Sequence, residues 1–186
     1  MSVKLMQHGV FFSGASACWR ASSRGSGTAT TPRLGLIVVN GSQWANAQIQ
    51  ATITDLFHVS EDTFLFEGNS AVGLLLRLQP DGSGVGVVVE RHALTLATRD
   101  AAGSWTPLPN ARFTRVDFDT PHSVQLRATG GTYTVYLDRG QVLSAAYPDG
   151  PTGGGVGVWM RSAIPINPAD RTVVPKLDDF RASGLP

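Results

Sequence analysis

Lysine, glutamate and charged residues in general are scarce in this chain of 186 residues. Charged residues make up 16% of it, against the ~25% typical of soluble proteins. Only Lys4 and Lys176 are lysines, the formal net charge is +1, and no run of like charges occurs. These absences predict no nucleic-acid partner and no anionic membrane partner. Two interpretations stay open: a surface that faces other protein or a neutral ligand, and a β fold with a neutral polar exterior.

The chain has a single cysteine, Cys18, which excludes an intrachain disulfide and a thiolate metal site. We expect a buried free thiol, because apart from nearby His8 nothing supports its activation as a nucleophile. The histidines are scattered without the spacing of metal ligands, at His8, His58, His92 and His122. The residues themselves therefore predict no cofactor and no metal site.

Long apolar runs are also absent. No stretch approaches the ~20 residues of a membrane-spanning helix, so we predict no membrane insertion. The opening stretch MSVKLMQHGVFFSGASAC imitates a signal peptide, with a lysine and an Ala-x-Ala that ends at Ala17. Because Gln7, His8 and Gly9 interrupt its apolar run, we expect that it is not one.

Alternation with a period of two residues is the main pattern that is present. In NAQIQATITDL, residues 46–56, Ala and Ile alternate with Gln and Thr. Similar short segments recur along the chain, separated by turns that contain many of its 21 glycines and 11 prolines. The segments are RLGLIVVN, VGLLLRLQ, SGVGVVVER, ALTLATR, SVQLRA, TYTVYLD, RGQVLSAAY, GVGVWMR and KLDDFRAS. They predict an all-β antiparallel β-sandwich or jelly roll over residues 33–186, preceded by an N-terminal arm or assembly segment over residues 1–32.

Two passages, QPDGSGVGVVVER and YPDGPTGGGVGVWMR, place Pro-Asp-Gly before a glycine-rich strand. Neither has the lysine of a phosphate-binding loop, the helix of a dinucleotide site or the regular aspartates of a calcium repeat. We interpret both as turns that lead into strands. In the second strand the valines face the core, and the opposite face carries Gly155, Gly157, Trp159 and Arg161. We predict ligand binding by these four residues, since strand glycines often mark a close approach; packing of Trp159 under a crossing loop is the alternative.

From Trp44 to Ser183, the order of these segments resembles the concanavalin A-like (laminin G-like, glucanase-like) jelly rolls. WANAQIQATI is similar to an early strand of that family, AVGLLLRLQ to its Gly-hydrophobic-Arg strand, and PHSVQLRATGGTYTVYLDRGQVL to its central strand-turn-strand. GGGVGVWM followed by KLDDFRAS is similar to its closing pair. The family includes glycoside hydrolases, carbohydrate-binding modules, adhesive domains and viral surface domains. The resemblance also allows calcium binding, to which Asp178 or Asp179 could contribute.

The paired acidic residues of the family's hydrolases are not matched in this chain. Glu61 and Glu67 would lie about 20 Å apart along a strand at ~3.3 Å per residue, whereas hydrolytic carboxylates lie ~5–9.5 Å apart. Asp117 and Asp119 form the best remaining pair, at roughly 7 Å on one strand face. Since they precede Pro121, where aspartates commonly cap turns, we predict that the protein is not an enzyme.

These observations lead to a non-catalytic structural or adhesion protein of a virion, a phage tail or capsid-surface subunit that could bind host-surface carbohydrate. Its predicted partners are other virion proteins and further copies of itself within an assembly. The alternatives are a secreted carbohydrate-binding module or glycoside hydrolase relative, and a protein–protein module without a sugar site. The predicted location is the virion, with a secreted protein as the alternative.

Overall fold

The computed structural model describes residues 3–6, 34–56, 64–65, 69–161 and 175–186. These residues form two antiparallel sheets stacked as a sandwich, which confirms the predicted jelly-roll fold class. The seven-stranded sheet has the order β1-β2-β11-β4-β5-β6-β7, and the five-stranded sheet has the order β10-β9-β8-β3-β12. The strands are β1 (Val3–Met6), β2 (Leu34–Trp44), β3 (Ala47–Thr54), β4 (Ala71–Leu78), β5 (Gly84–Glu90), β6 (Ala93–Arg99), β7 (Trp105–Phe113), β8 (His122–Thr129), β9 (Thr132–Leu137), β10 (Gly140–Ala146), β11 (Gly154–Arg161) and β12 (Lys176–Gly184).

The core lies between the sheets and follows the alternation in the sequence. Strand β3 buries every second residue, and its inward set is Ala47, Ile49, Ala51 and Ile53. Val85, Val87 and Val89 of β5 and Val156 and Val158 of β11 also face this core, as their pattern predicts. Each fully buried aliphatic side chain contributes about 1.5–3 kcal/mol to the free energy of unfolding. Strands β4, β5 and β11 are buried on both faces, which matches their near-continuous apolar sequences.

Both Pro-Asp-Gly passages are turns, as predicted. In the first, the Gly82 N–H donates to the Gln79 carbonyl at 3.0 Å, and the Ser83 N–H donates to Asp81 Oδ1 at 2.8 Å. Gly82 has a φ of +87°, a conformation that glycine adopts at no steric cost. In the second, the Gly150 N–H donates to the Tyr147 carbonyl at 3.2 Å. Neither passage forms a phosphate or calcium loop.

Arg77, at the end of β4, fixes one end of the sandwich. Its guanidinium donates to the carbonyls of Ala45 and Pro151 at 2.9 Å and 2.7 Å, and to the Tyr133 hydroxyl at 3.2 Å. A further bond reaches the Gly130 carbonyl. Arg77 is buried, and these bonds provide acceptors for its guanidinium N–H groups. They also join three connections, those between β2 and β3, β8 and β9, and β10 and β11. The arginine in the family-like strand segment therefore has a packing role.

Two strands have no counterpart among the predicted segments. Strand β7 contains Pro107 and Pro109, which argue against a strand in sequence; it forms an edge of the seven-stranded sheet, where proline is tolerated. Strand β1 lies within the predicted arm and pairs with β2, from Val3↔Val39 to Met6↔Leu36. The remaining predictions for residues 7–33, with those for Cys18, His8, His58, Glu61 and Glu67, lie outside the described residues. The arm boundary at residue 32 stays a prediction.

In the part of the chain that the structure describes, no helix is long and apolar enough to cross a membrane.

Candidate functional site: the two outer sheet faces

The outer face of the seven-stranded sheet, on the side away from the core, is apolar and buried. It forms a second apolar cluster of Ala71, Leu75, Leu78, Val88, Ala97 and Trp159. Against it lie Trp105 from β7 and the 64–65 turn. This face therefore behaves as a second core layer, and little of it is open to a ligand.

The four residues predicted to bind ligand lie together on this face, at alternate positions of β11. All four are buried, and Trp159 and Arg161 are only 4% and 6% exposed. The Trp159 ring meets the Trp105 ring edge-on, with centroids 5.4 Å apart. Such pairs contribute about 0.5–1.5 kcal/mol beyond the area they bury. Because Trp159 leaves no ring face open for a sugar, the structure favours the packing interpretation, and ligand binding by these residues stays a prediction.

Arg161 and Glu90 hold the 64–65 turn against this sheet. Arg161 Nη1 donates to the Leu65 carbonyl at 2.8 Å, and the Leu65 N–H donates to Glu90 Oε1 at 2.9 Å. Arg112 on β7 lies 4.0 Å from the second oxygen of Glu90. The arginine predicted as a ligand contact is thus engaged within the chain.

Two strand glycines make room for the Trp105 ring. A Cβ atom at Gly86 would lie 2.9 Å from Trp105 Cη2, and one at Gly73 would lie 3.0 Å from Trp105 Cζ2. At Gly73 and Gly86 the group that approaches the strand closely is therefore a tryptophan of the same chain. Among the described residues, two buried polar atoms of this face, Thr95 Oγ1 and Trp105 Nε1, have no hydrogen-bond partner.

The outer face of the five-stranded sheet has the opposite character. Two rows of polar side chains cross all five strands in register, and we call them the polar face. One row is Ser144, Thr134, Arg127, Gln48 and Ser183; the other is Gln141, Tyr136, Gln125, Gln50 and Arg181. None of these ten residues is acidic, and all are half-buried or exposed. At ~4.8 Å between strands, each row extends roughly 19 Å across the sheet.

Hydrogen bonds between neighbouring strands order the centre of the polar face. Gln125 Nε2 donates to Gln48 Oε1 at 3.2 Å, and Gln48 Nε2 donates to Ser183 Oγ at 3.1 Å. Gln50 Nε2 donates to Ser123 Oγ at 2.9 Å, in the row below. These bonds hold three amides in defined orientations, which lowers the entropy that binding would remove.

Three larger side chains stand among these amides. Tyr136 on β9 is half-buried, and Arg127 on β8 and Arg181 on β12 are exposed. Within the described ranges, neither arginine has a side-chain hydrogen bond or ion pair. The polar face therefore combines an accessible aromatic group, neutral amides and hydroxyls, and two uncommitted guanidinium groups.

Asp117 and Asp119 lie in the 114–121 connection between β7 and β8, so the expectation that they share a strand face is wrong. The Asp119 N–H donates to Asp117 Oδ1 at 3.1 Å, which makes Asp117 a turn-capping residue. Arg91 pairs with both carboxylates, at 3.6 Å from Nε to Asp117 Oδ1. The Asp119 N–H is the main cause that lowers the pKa of Asp117, with His92 and Arg91 adding to it. A carboxyl group whose pKa is lowered is a poor general acid at neutral pH.

A histidine–aspartate pair joins the start of β8 to the turn after β9. His122 Nδ1 lies 2.6 Å from Asp138 Oδ2, and the Ser123 N–H donates to Asp138 Oδ1 at 2.9 Å. Burial raises the pKa of Asp138, but the bonds from His122 and Ser123 outweigh it, so the pKa is lowered overall. His92 and His122 are thus each close to an aspartate at the same end of the sandwich.

The candidate calcium ligands lie on β12, where Thr52 Oγ1 donates to Asp179 Oδ2 at 3.4 Å. Among the described residues, no group of three or more His, Cys, Asp or Glu side chains is arranged to hold a metal ion. Asp178 pairs with Thr52 across the β3–β12 ladder, beside the polar face.

Sequence reasoning missed the polar face as a unit. The outward Gln and Thr residues of β3 are visible in its alternation, but their partners come from β8, β9, β10 and β12. The register between these strands decides which residues become neighbours, and the segments themselves do not contain it.

No family model and no curated protein sequence matches the chain. Solved structures with the same fold do match it. The carbohydrate-binding module CBM66 from Bacillus subtilis is 15% identical, with 81% of this chain and 82% of that chain covered and a TM-score of 0.58. Alginate lyase A1-II', a member of polysaccharide lyase family 7, is 12% identical over 81% and 72% of the two chains, with a TM-score of 0.53.

The galectin LEC-6 from Caenorhabditis elegans is 12% identical, with 84% and 93% of the chains covered and a TM-score of 0.51. At these identities the similarities establish the fold, a concanavalin A-like jelly roll. The three proteins comprise two kinds of carbohydrate-binding protein and one enzyme, so the fold alone does not separate binding from catalysis.

Proposed function

We propose that this protein is a non-catalytic carbohydrate-binding β-sandwich whose ligand lies along the polar face of the five-stranded sheet. The observation that carries the proposal is the pair of registered rows of amide, hydroxyl, phenol and guanidinium groups. Sugar hydroxyls both donate and accept hydrogen bonds, and amide side chains supply both functions from one position. The occurrence of the same fold in carbohydrate-binding proteins supports the proposal.

The extent of the polar face favours a polysaccharide over a small ligand. Small-molecule sites are concave and bury most of their ligand, whereas two rows of side chains across five strands offer an extended surface. Tyr136 offers an aromatic ring against which the apolar face of a sugar could stack. The chain of bonds from Gln125 through Gln48 to Ser183 keeps the amides in place between binding events.

Among the residues that the structure describes, the lack of a suitable acid–base pair supports the non-catalytic part of the proposal. Asp117 and Asp119, the candidates from sequence, are both held by Arg91 in a turn. They lie at the end of the sandwich, away from the two rows of the polar face. Hydrolysis or eliminative cleavage of a polysaccharide by the protein, lost in Asp117→Asn or Asp119→Asn, would contradict this part.

A glycan array probed with the full chain tests the proposal. We expect one class of polysaccharide to bind, and Tyr136→Ala or Gln125→Ala to weaken its binding by about five- to ten-fold, the loss of roughly 1 kcal/mol in stacking or hydrogen bonding. Thr106→Ala, an exposed substitution on β7, is the matched control and should bind as the parent does. Thermal melts establish that all three variants are folded. Absence of binding to any glycan would refute the proposal.

A second location for the ligand is the cluster of Gly155, Gly157, Trp159 and Arg161. What supports it is a pair of polar atoms on the same sheet face that have no hydrogen-bond partner among the described residues, Trp105 Nε1 next to Trp159 and Thr95 Oγ1 on β6, which a ligand could satisfy. If the ligand lies there, Thr95→Val abolishes binding and Tyr136→Ala does not. The same array therefore distinguishes the two faces.

The role of the module in a virion is a further part of the proposal and comes from the sequence alone. The low charged content suits a subunit that docks against other protein in a tail or capsid surface. Mass spectrometry of purified particles, with antibody labelling of the intact particle, tests it. A protein found only in the culture supernatant, free of particles, favours the secreted alternative.

A further inference from the structure

The polar face carries positive charge without compensating negative charge. Its two charged members are Arg127 and Arg181, and the other eight residues are neutral. Both guanidinium groups are exposed. The acidic residues that flank the two rows lie beyond them: Asp178 and Asp179 toward the start of β12, and Asp138 after β9, where His122 and Ser123 bind its carboxylate.

The spacing of the two arginines follows from the strand register. Arg127 lies opposite Gln48, Arg181 lies opposite Gln50, and β3 separates their strands. Two inter-strand steps of ~4.8 Å and one two-residue step of ~6.7 Å place their Cα atoms roughly 12 Å apart. Between them lie Gln48 and Gln50 on β3, with Gln125 beside Arg127 on β8. Gln125 donates to Gln48, which donates to Ser183, and Gln50 donates to Ser123, so all three amides have defined partners.

This arrangement differs from that of the arginines used in packing. Arg77 and Arg161 are buried and donate to backbone carbonyls, and Arg91 pairs with two aspartates. Arg127 and Arg181 have no such bonds among the described residues, so all the donors of their guanidinium groups can meet a ligand. A guanidinium group is a planar fork of donors that matches an anionic oxyacid group in bidentate geometry.

We propose that the ligand of the polar face is an anionic polysaccharide, with two of its charged groups bound by Arg127 and Arg181 and the sugar hydroxyls between them bound by Gln48, Gln50 and Gln125. The charge can be the carboxylate of a uronate or a sulfate ester, since both present oxygens of the required geometry. This inference rests on the proposed function and names the class of its ligand.

Titration calorimetry with the full chain tests the inference with three probes: polygalacturonate, dextran sulfate and uncharged dextran. We expect at least one anionic probe to bind more than ten-fold tighter than dextran, with an affinity that falls as salt rises from 20 to about 300 mM. Arg127→Gln and Arg181→Gln should each weaken that binding about ten-fold. Preference for polygalacturonate assigns the uronate, and preference for dextran sulfate assigns the sulfate.

Arg115→Gln is the control, because it removes one exposed positive charge from the β7–β8 connection. It should leave the affinity within two-fold of the parent, roughly the size of a long-range screened charge effect. A length series of oligouronates or sulfated oligosaccharides should show a step in affinity at the size that reaches both arginines, and Arg181→Gln should remove the step.

The outcomes separate this inference from the proposed function. Binding of a neutral glycan that depends on Tyr136 and Gln125, and that neither salt nor the two arginine substitutions change, overturns the anionic ligand and leaves carbohydrate binding intact. Weakening of anionic binding by Arg115→Gln as much as by Arg127→Gln overturns the specific site. Lack of binding to all three probes and to every glycan of an array overturns both.

Discussion

Thr95, at the scale of a single residue, shows how the two outer faces differ. It points away from the core, yet it is only 1% exposed and its hydroxyl has no hydrogen-bond partner. On the five-stranded sheet the outward threonine Thr134 is within 3.5 Å of Ser144 Oγ, and it is partly open to solvent. The hydroxyl of an outward threonine therefore has no hydrogen-bond partner among the described residues on one sheet, and has one on the other.

Thr95→Val should raise the free energy of unfolding by about 1 kcal/mol, because it replaces an unsatisfied buried hydroxyl by a methyl group of similar shape. Urea denaturation measures the change as a higher midpoint at unchanged slope. Thr134→Val, the matched substitution on the polar face, should leave the midpoint unchanged or lower it. A lower midpoint for Thr95→Val would show that its hydroxyl is bound in the folded protein.

At the scale of strands, the alternating pattern carries most of the predictable fold. The pattern predicts β3, β6, β8 and β11 within one or two residues of their observed bounds, because successive side chains of a strand point to opposite faces of the sheet. Strand β7 could not be predicted in the same way, since Pro107 and Pro109 are tolerated only because it lies at a sheet edge. Edge position follows from the assembled sheet, and local sequence does not contain it.

The junction between β8 and β9 gives the acid stability of the fold a specific source. The bonds from His122 and Ser123 lower the pKa of Asp138. A carboxyl group with a depressed folded-state pKa stabilises the protein above its unfolded-state pKa of ~3.9. This stabilisation is lost as the pH falls from that value through the lower pKa of the folded state. Asp138→Asn should therefore be destabilising at pH 6 and lose less stability than the parent between pH 5 and pH 3.

Urea midpoints at pH 6, 5, 4 and 3 measure this effect. Asp149→Asn removes an exposed carboxylate from the β10–β11 turn and serves as the control, with a pH profile expected to follow that of the parent. Parallel profiles for Asp138→Asn and the parent would show that the His122–Asp138 pair does not contribute to acid stability.

At the scale of the whole molecule, the two sheets divide the work of the fold. In the seven-stranded sheet, strands β4, β5 and β11 are buried on both sides, and Trp105, Trp159 and the 64–65 turn form a second layer. The five-stranded sheet is buried on one side and presents ordered polar side chains on the other. One sheet is thus covered on its outer side, and the other leaves its outer polar face open to solvent.

The sequence could indicate part of this division. It predicts which residues of β11 share a face, and the structure brings Gly155, Gly157, Trp159 and Arg161 together as expected. It could not indicate that Trp105, some 54 residues earlier in the chain, covers that face, because such packing depends on contacts between distant strands. The polar face could not be predicted for the same reason, since its two rows together contain two residues from each of five strands.

The most direct test of carbohydrate binding on the polar face is an NMR titration of the isotope-labelled full chain with the polysaccharide fragment selected on the array. We predict that side-chain amide signals of Gln48, Gln50 and Gln125 and backbone signals of Arg127 and Tyr136 shift, while the indole N–H signals of Trp105 and Trp159 do not. Shifts concentrated on the two indoles and on Thr95, with the glutamine amides unchanged, would contradict the account.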